Sequence, residues 1–405
     1  MSHKLAIDGG TPVRTAPFLS WPVFDQREEK ALIEVLHSGD WGVLTGTKVK
    51  EFEQRFAAYQ ESRYGTCVVN GTAALEIAMR ALDVGPGDEV ITTPYTFIAT
   101  VNAILLVGAV PVFVDIDPET CLMDTGQLKA AITDRTKAIM PVHLAGCPVD
   151  MDAIMDVASR HGLAVVEDAC QAWGAEWRGQ RVGAIGALGT FSFQASKNIT
   201  AGEGGIIVTN DDELAERCWS LHNVGRRHGG AWYEHVRIGW NYRMTEWQGA
   251  VLLVQLERLD GHQARRDANA RYLREQLVAV DGVYPLTVDP RVTRHSWHLF
   301  IFRYDADEFG GLPRDRFLET LKAEGIPCMP GYVPLHRTPA VVEGINRNRR
   351  LIEGTSSEDW DPPHLPALER ICRQECVWLP QNVLLGDQKD MHDIVEAIAK
   401  IKAES

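Results

Sequence analysis

The sequence predicts an α/β protein in which a large domain, built on a mostly parallel seven-stranded sheet, precedes a smaller C-terminal α+β domain. Two observations carry this reading. Between about residues 65 and 210, seven short apolar runs recur between segments of helical periodicity, and strands that alternate with helices assemble a parallel sheet. The runs are also continuous, without polar-apolar alternation, as expected of strands buried on both faces. Beyond them, a long charged helical stretch leads into a region where strand and helix patterns no longer alternate.

The elements follow in order. Asp25 to His37 and Lys48 to Ala58 have the pattern of short helices packed on the outside. The strands are Thr66 to Val69, Glu89 to Thr92, Val110 to Asp115, Ala138 to Val142, Leu163 to Glu167, Thr190 to Phe193 and Ile206 to Thr209. After the first, Leu75, Met79 and Leu82 fall at i, i+4 and i+7, with Glu76 and Arg80 paired on another face, which makes an amphipathic helix. Asp150 caps another helix, with Met151, Ile154 and Ala158 on its buried stripe and His161-Gly162 ending it. The long helix runs from about Thr245 to Leu277. Then come a strand from His298 to Arg303 and helices from Pro313 to Glu324 and from Lys389 to Lys402. Thr338 to Leu368 is rich in Asn, Arg, Glu, Asp and Pro and is expected to be a surface excursion. The domains expected are an N-terminal helical segment over 1–60, a large domain over 61–255 and a small one over 256–405.

Composition narrows the function. Lys and Arg number 41 against 55 Asp and Glu, a net charge of −14, which argues against a broad nucleic-acid or anionic-membrane footprint. MSHKLAIDGG lacks an apolar leader core and no stretch approaches the roughly 18 apolar residues of a membrane span. The expectation is a soluble cytoplasmic protein. Eight cysteines are scattered, and Cys372 and Cys376 suit one turn of helix better than a zinc knuckle, so reduced thiols are expected. His222, His228 and His336 show no ligand spacing, and no metal site is expected. HExxH, paired CxxC, GxSxG, GxxxxGK[ST] and a strand-linked GxGxxG are all missing.

The densest chemistry runs from Val165 to Gly205. Asp168 follows a buried strand, where ligands of α/β proteins collect, and a carboxylate there wants a cationic partner, since breaking a buried pair costs about 3–5 kcal/mol. Lys197 follows the Thr190 to Phe193 strand at a turn. Entering a half-buried cleft it would be a neutral nucleophile; the local sequence suits a surface turn equally. Asn70-Gly71-Thr72-Ala73 opens a helix and can cradle a phosphate, although an Asn-Gly turn with Thr72 as N-cap explains it without a ligand. Tyr95-Thr96-Phe97 offers an aromatic ring after the second strand. Combined at one edge of one sheet, a phosphate cradle, a ring, a carboxylate and a lysine are the parts a pyridoxal phosphate site needs.

These segments resemble the DegT/StrS family of fold-type I aminotransferases, which act on keto-sugars and keto-cyclitols. The resemblance spans nearly the whole chain, through WPVFDQREEKALIEVLHSGDW, VVNGTAALEIAMRAL, GDEVITTPYTFIATVNAILLVGAVPVFVDID, PVHLAG, VVEDACQAWGA, FSFQASKNITAGEGG, GWNYRMTEWQGAVLLVQL and YVPLH. It implies pyridoxal 5'-phosphate held covalently on Lys197, Asp168 paired with the pyridinium, Gln171 on the phenolic-oxygen side and Phe97 stacked on the ring. Gly71, Thr72, Ala73 and Ser192 would hold the phosphate, and Asn241 would reach the phosphate of the neighbouring subunit, which implies a homodimer with shared sites. Lys197 argues against the dehydratase branch, where His replaces it. FSFQxSKxxTAGEGG and ECVWLPQNVLLG resemble the branch of glutamine:scyllo-inosose aminotransferases and aminohydroxybenzoate synthases. YVPLH argues against the synthases and is shared by nucleotide-sugar enzymes.

The activity expected is ping-pong transfer of an amino group from L-glutamine, or L-glutamate, to a keto-cyclitol such as scyllo-inosose. The alternative is transfer from L-glutamate to a nucleotide-linked keto-sugar; less favoured are an aminohydroxybenzoate synthase-like enzyme and a catalytically silent relative. An α/β protein that binds phosphorylated ligands is the rival from another class. Ser38, Trp41, Tyr332 and His336 are expected to line the acceptor pocket.

Overall fold

The computed structural model describes residues 4–353 and 359–405. Its strands, in chain order, are β1 Tyr64–Val68, β2 Glu89–Thr92, β3 Val110–Phe113, β4 Thr136–Met140, β5 Ala164–Asp168, β6 Glu176–Trp177, β7 Gln180–Arg181, β8 Leu188–Ser192, β9 Gly205–Thr209, β10 Val283–Pro285, β11 Val292–Arg294, β12 Leu299–Tyr304 and β13 Cys376–Pro380. Every apolar run of the sequence becomes a strand of one seven-stranded sheet, ordered β1-β9-β8-β5-β4-β2-β3. Only β9 runs against its neighbours. Helices on both faces account for the continuous burial of β2, β8 and β9.

Parallel pairing puts the carboxyl ends of β1, β2, β5 and β8 at one edge, where Asn70, Phe97, Asp168 and Lys197 follow or end their strands. The amphipathic helix after β1 is Gly71–Ala81, with Glu76 and Arg80 paired at 2.9 Å. Helix Met151–His161 starts at Asp150, whose side chain accepts from Ala153 N, and stops at Gly162 in the left-handed region.

A second sheet, β10-β12-β13, is antiparallel and packs with helices Arg314–Ala323 and Gln388–Ala403 around its own apolar core. The long helix Glu246–Leu277 serves both cores: Leu252 and Leu259 pack in the first, Leu273 and Leu277 in the second. A small ribbon, β11-β6-β7, lies apart from both sheets. No helix among the described residues is long and apolar enough to cross a membrane.

Three local expectations change. Helix Lys48–Tyr59 is no external ornament: Val49, Phe52 and Phe56 are completely buried, and Phe56 meets Phe191 and Phe193 edge-on at 5.1 and 5.4 Å. The excursion after Thr338 begins as helix Pro339–Glu353, which buries Val341 and Ile345 and sends the Asn348 amide to the carbonyls of Leu105 and Ala109; 354–358 lie outside the described residues. Cys372 lies in a π-helical turn, but Cys376 opens β13, so the pair does not share one helix.

Truncating Phe56 removes a ring that three aromatic partners surround. Phe56→Ala is expected to lower the free energy of unfolding by about 3–5 kcal/mol, read from the urea midpoint.

Candidate active site

At the carboxyl edge, the two sheets face each other across a cleft of about 940 Å³. Asn70, Gly71, Thr72, Phe97, Thr100, Asp168, Cys170, Gln171, Ser192 and Lys197 line it from the large sheet. His298, Met329, Tyr332, Trp378, Gln381 and Asn382 line it from the other side. Among its described lining residues, Lys197 is the only lysine or arginine.

Asp168 ends β5 and is 5% exposed. Thr100 Oγ1 donates to its Oδ2 at 2.7 Å and the Cys170 amide to its Oδ1 at 3.2 Å. No cation pairs with it among the described residues, so this buried carboxylate has capacity for a positively charged ligand group. Thr100 reaches it because helix Ile98–Leu106 begins directly after Phe97, and Thr96 and Thr100 are themselves joined at 2.8 Å.

Lys197 sits in the turn its sequence indicates, its amide bonded to the Gln194 carbonyl at 2.9 Å, yet its amine points into the cleft, 6.0 Å from the Trp173 ring centre. Burial lowers its pKa below the ordinary lysine value, while Cys170 and Asp168 oppose the shift.

The start of helix Gly71–Ala81 forms a small concave cradle. Asn70 is its N-cap, correcting the alternative that gave Thr72 that role; Asn70 Oδ1 accepts from the Ala73 amide at 2.9 Å. The amides of Gly71 and Thr72, in the first turn, have no intrahelical acceptor. A Cβ on Gly71 would fall 2.8 Å from Ser192 Cβ and 3.3 Å from Cys170 Sγ, and one on Gly205 2.5 Å from the Asn70 carbonyl oxygen. Glycine at both positions keeps the cradle open.

The remaining expected residues divide. Gln171 lines the cleft and is tied at both ends: Oε1 accepts from the Ala145 amide at 2.7 Å and Nε2 donates to Tyr332 Oη at 3.2 Å. Phe97 is 57% exposed at the cleft wall. Ala73 does not line the cleft, and its amide is taken by Asn70 Oδ1. Asn241 is exposed and pairs with Asn223, away from this chain's cleft. Nor does Trp41 line it; its ring packs on Trp247 at 5.6 Å. Ser38 ends helix Gln26–Ser38 and is likewise absent from the lining. His336 is fully buried beneath Phe113, with Nε2 3.6 Å from Glu369 Oε1, and is shut off from the cleft. Thr100, His298, Gln381 and Asn382 are lining residues that the sequence reading passed over; Thr100 lies in the first turn of the helix that follows Phe97, and no local pattern marks it.

A carboxylate, a lysine and a helix-end cradle thus meet at the carboxyl edge of a mostly parallel sheet, where ligands of α/β proteins collect. The chain belongs to the DegT/DnrJ/EryC1/StrS aminotransferase family, whose model matches residues 22–398. The aminotransferases of this family are pyridoxal phosphate-dependent. The chain is 42% identical over 412 residues, 99% of this chain and 98% of the relative, to a Streptoalloteichus tenebrarius protein provisionally named L-glutamine:3-amino-2,3-dideoxy-scyllo-inosose aminotransferase. It is 40% identical over 418 residues, with the same coverage, to L-glutamine:2-deoxy-scyllo-inosose aminotransferase of that organism. A solved structure of 3-amino-5-hydroxybenzoic acid synthase superposes with a TM-score of 0.86 at 36% identity, covering 96% of this chain and all of that one.

The electrostatics of Lys197 have a testable sign. Its proton leaves below the pH at which an exposed lysine titrates, so across that window the unfolded chain holds more protons and this group's contribution to stability rises with pH. Because Asp168 opposes the shift, Asp168→Asn is expected to move the Lys197 titration to still lower pH. Acetylation of the cofactor-free protein across a pH series, read by mass spectrometry at Lys197, checks this; an unchanged or higher midpoint would contradict it.

Proposed function

We propose that this aminotransferase takes its amino group from L-glutamine and delivers it to the ketone of a polyhydroxylated ring, a keto-cyclitol such as scyllo-inosose. The observation that carries the reading is the character of the cleft. Lys197 is its single cationic side chain among the described residues, Asp168 and Glu203 are acidic, and Gln194, Ser196, Gln381 and Asn382 supply neutral hydrogen-bonding groups. A sugar linked through a diphosphate brings negative charge that calls for arginine or lysine. An uncharged polyol asks for neutral donors and acceptors, and the substrates in the names of the two Streptoalloteichus tenebrarius relatives are of that kind.

The residues present fit pyridoxal phosphate. Free helix-start amides at Gly71 and Thr72, with Ser192 opposite, would hold the phosphate; Asp168, buried without a cation, would hold the ring nitrogen; Lys197 would hold the group covalently. When bound, the cofactor supplies an electrophilic carbonyl and an electron-accepting ring. Burial favours the neutral amine of Lys197, the form that attacks a carbonyl and lifts a proton from a substrate carbon. Phe97 contributes an aromatic face, and Gln171, tied to Ala145 and Tyr332, fixes the wall beside it. Donor and acceptor use one cleft in turn, a ping-pong sequence. Of the three segments expected, 1–60, 61–255 and 256–405, the first also packs Leu5, Val13 and Phe18 on the second core, and the border after 255 falls inside helix Glu246–Leu277.

A homodimer with shared sites is part of the proposal. Asn241 is exposed, and the segment just before it leaves Trp232, Tyr233 and Ile238 at 80%, 75% and 87% exposure, apolar surface suited to burial against a second copy.

Lys197→Ala is expected to reduce turnover by at least ~10²–10⁴-fold and to lose the adduct that borohydride fixes at that position. Mixing Lys197→Ala with Asn241→Ala subunits is expected to restore part of the activity; no recovery would count against a shared site. The donor is tested by the visible spectrum of the purified protein. L-glutamine is expected to bleach the cofactor band in preference to L-glutamate, and the reverse preference would favour the nucleotide-linked keto-sugar.

A further inference from the structure

His298 is the only imidazole among the described residues lining the cleft, and it is 7% exposed. Its surroundings fix both its position and its tautomer. The His298 amide donates to the Ala145 carbonyl at 2.8 Å, and its ring meets Trp173 edge-on with centres 5.6 Å apart. Asn198, the neighbour of Lys197, donates its Nδ2 to the Ser296 carbonyl at 2.7 Å, which orients the amide. Asn198 Oδ1 therefore faces His298 Nδ1, at 3.1 Å, and only an N–H on Nδ1 satisfies that contact. Nε2 is left as a bare acceptor, with no hydrogen-bond partner among the described residues.

Burial holds the imidazole far below its ordinary pKa, and Lys197 and Arg266 push the same way, so the ring stays neutral and Nε2 stays an acceptor. That excludes several occupants. Carboxylate and phosphate oxygens have no hydrogen to give and are repelled by a lone pair. A hydroxyl has one. Because Asn198, which holds His298 Nδ1, directly follows Lys197 in the chain, the hydroxyl that meets His298 lies near the reacting carbon.

We propose that His298 Nε2 accepts a hydrogen bond from a hydroxyl of the acceptor ring flanking the carbon that receives the amino group. His298 is then a specificity-determining residue of the second half-reaction. The inference rests on the keto-cyclitol reading above and adds the residue that recognises the ring.

The half-reactions separate the possibilities. In holoenzyme, His298→Phe is expected to leave bleaching of the cofactor band by L-glutamine unchanged and to slow return of the band by scyllo-inosose by roughly tenfold, the worth of one neutral hydrogen bond. His298→Gln, whose side-chain oxygen reaches the same place, is expected to recover part of the loss. In ¹⁵N-histidine-labelled wild-type protein, the Nε2 resonance of His298 is expected to move on adding scyllo-inosose to the amino-loaded enzyme and to stay in place with L-glutamine. Equal slowing of both half-reactions, or a resonance that moves with L-glutamine instead, would overturn the inference. So would a His298→Phe variant that matches wild type toward scyllo-inosose. A wild-type protein that bleaches with L-glutamine but returns nothing to scyllo-inosose would overturn the acceptor reading itself, and the inference with it.

Discussion

Two adjacent carboxylates end the central strand β5, and the surrounding architecture has to accommodate both. Successive strand residues point to opposite faces, so Glu167 and Asp168 face apart. Glu167 is completely buried and held by four neutral donors: His143 Nε2 at 3.0 Å and the amides of Gly183, Ile185 and Gly186 at 2.7, 2.9 and 2.6 Å. His143 adopts the matching tautomer because its Nδ1 accepts from the Val149 amide at 3.3 Å. A buried charge of this kind persists only with its hydrogen bonds complete. The Gly183 to Gly186 loop and the turn after β4 are thereby pinned to β5. Gly183 and Gly186, with Ile185 between them, bring three amides onto one carboxylate.

With Glu167 anchored behind, Asp168 is presented forward. The His143 amide donates to the Asp168 carbonyl at 3.1 Å and the Asp168 amide to the Pro141 carbonyl at 2.9 Å, extending the β4-β5 pairing up to the cleft. The same turn carries Ala145, whose φ of 58° lies in the left-handed region; its amide holds Gln171 and its carbonyl holds His298. One strained residue thus connects the large sheet to β12 across the cleft, and a strained backbone of this kind persists where its neighbours determine it on several sides.

The large sheet was legible because burial on both faces leaves continuous apolar runs, and helix Met151–His161 because Asp150 and Gly162 mark its ends chemically. Asp168 and Lys197 stand out in the sequence for a related reason: one charged residue closes an apolar strand and the other lies in the turn that follows one. The misses arise where contacts are distant in sequence. Periodicity cannot report that Phe52 and Phe56 meet Phe193, nor that helix Pro339–Glu353 lies on Leu105. His298 opens a run read for its apolar residues, and its tautomer depends on Asn198, a hundred residues earlier. Ala73 shows the converse limit, since NGTA reveals a helix start but not which amide the cap consumes.

The opposite wall extends the same logic of fixed donors and acceptors. Arg266 is completely buried behind it and donates Nε to Gln381 Oε1 at 3.0 Å, so the oxygen of Gln381 is spent and its NH₂ is the end left for a ligand. His298 is the complement, with its donor spent on Asn198 and its acceptor left. Gln381 and His298 both line the cleft, one as a fixed donor and one as a fixed acceptor. A hydroxyl group is both at once, and a ring bearing several hydroxyls can satisfy such a pair, where a carboxylate or phosphate satisfies only the donor. Each fixed group is set by a partner outside the cleft, Arg266 from the long helix Glu246–Leu277 and Asn198 from the turn that carries Lys197. The hydrogen-bonding pattern offered to the substrate is therefore built by the packing of the two sheets against that helix.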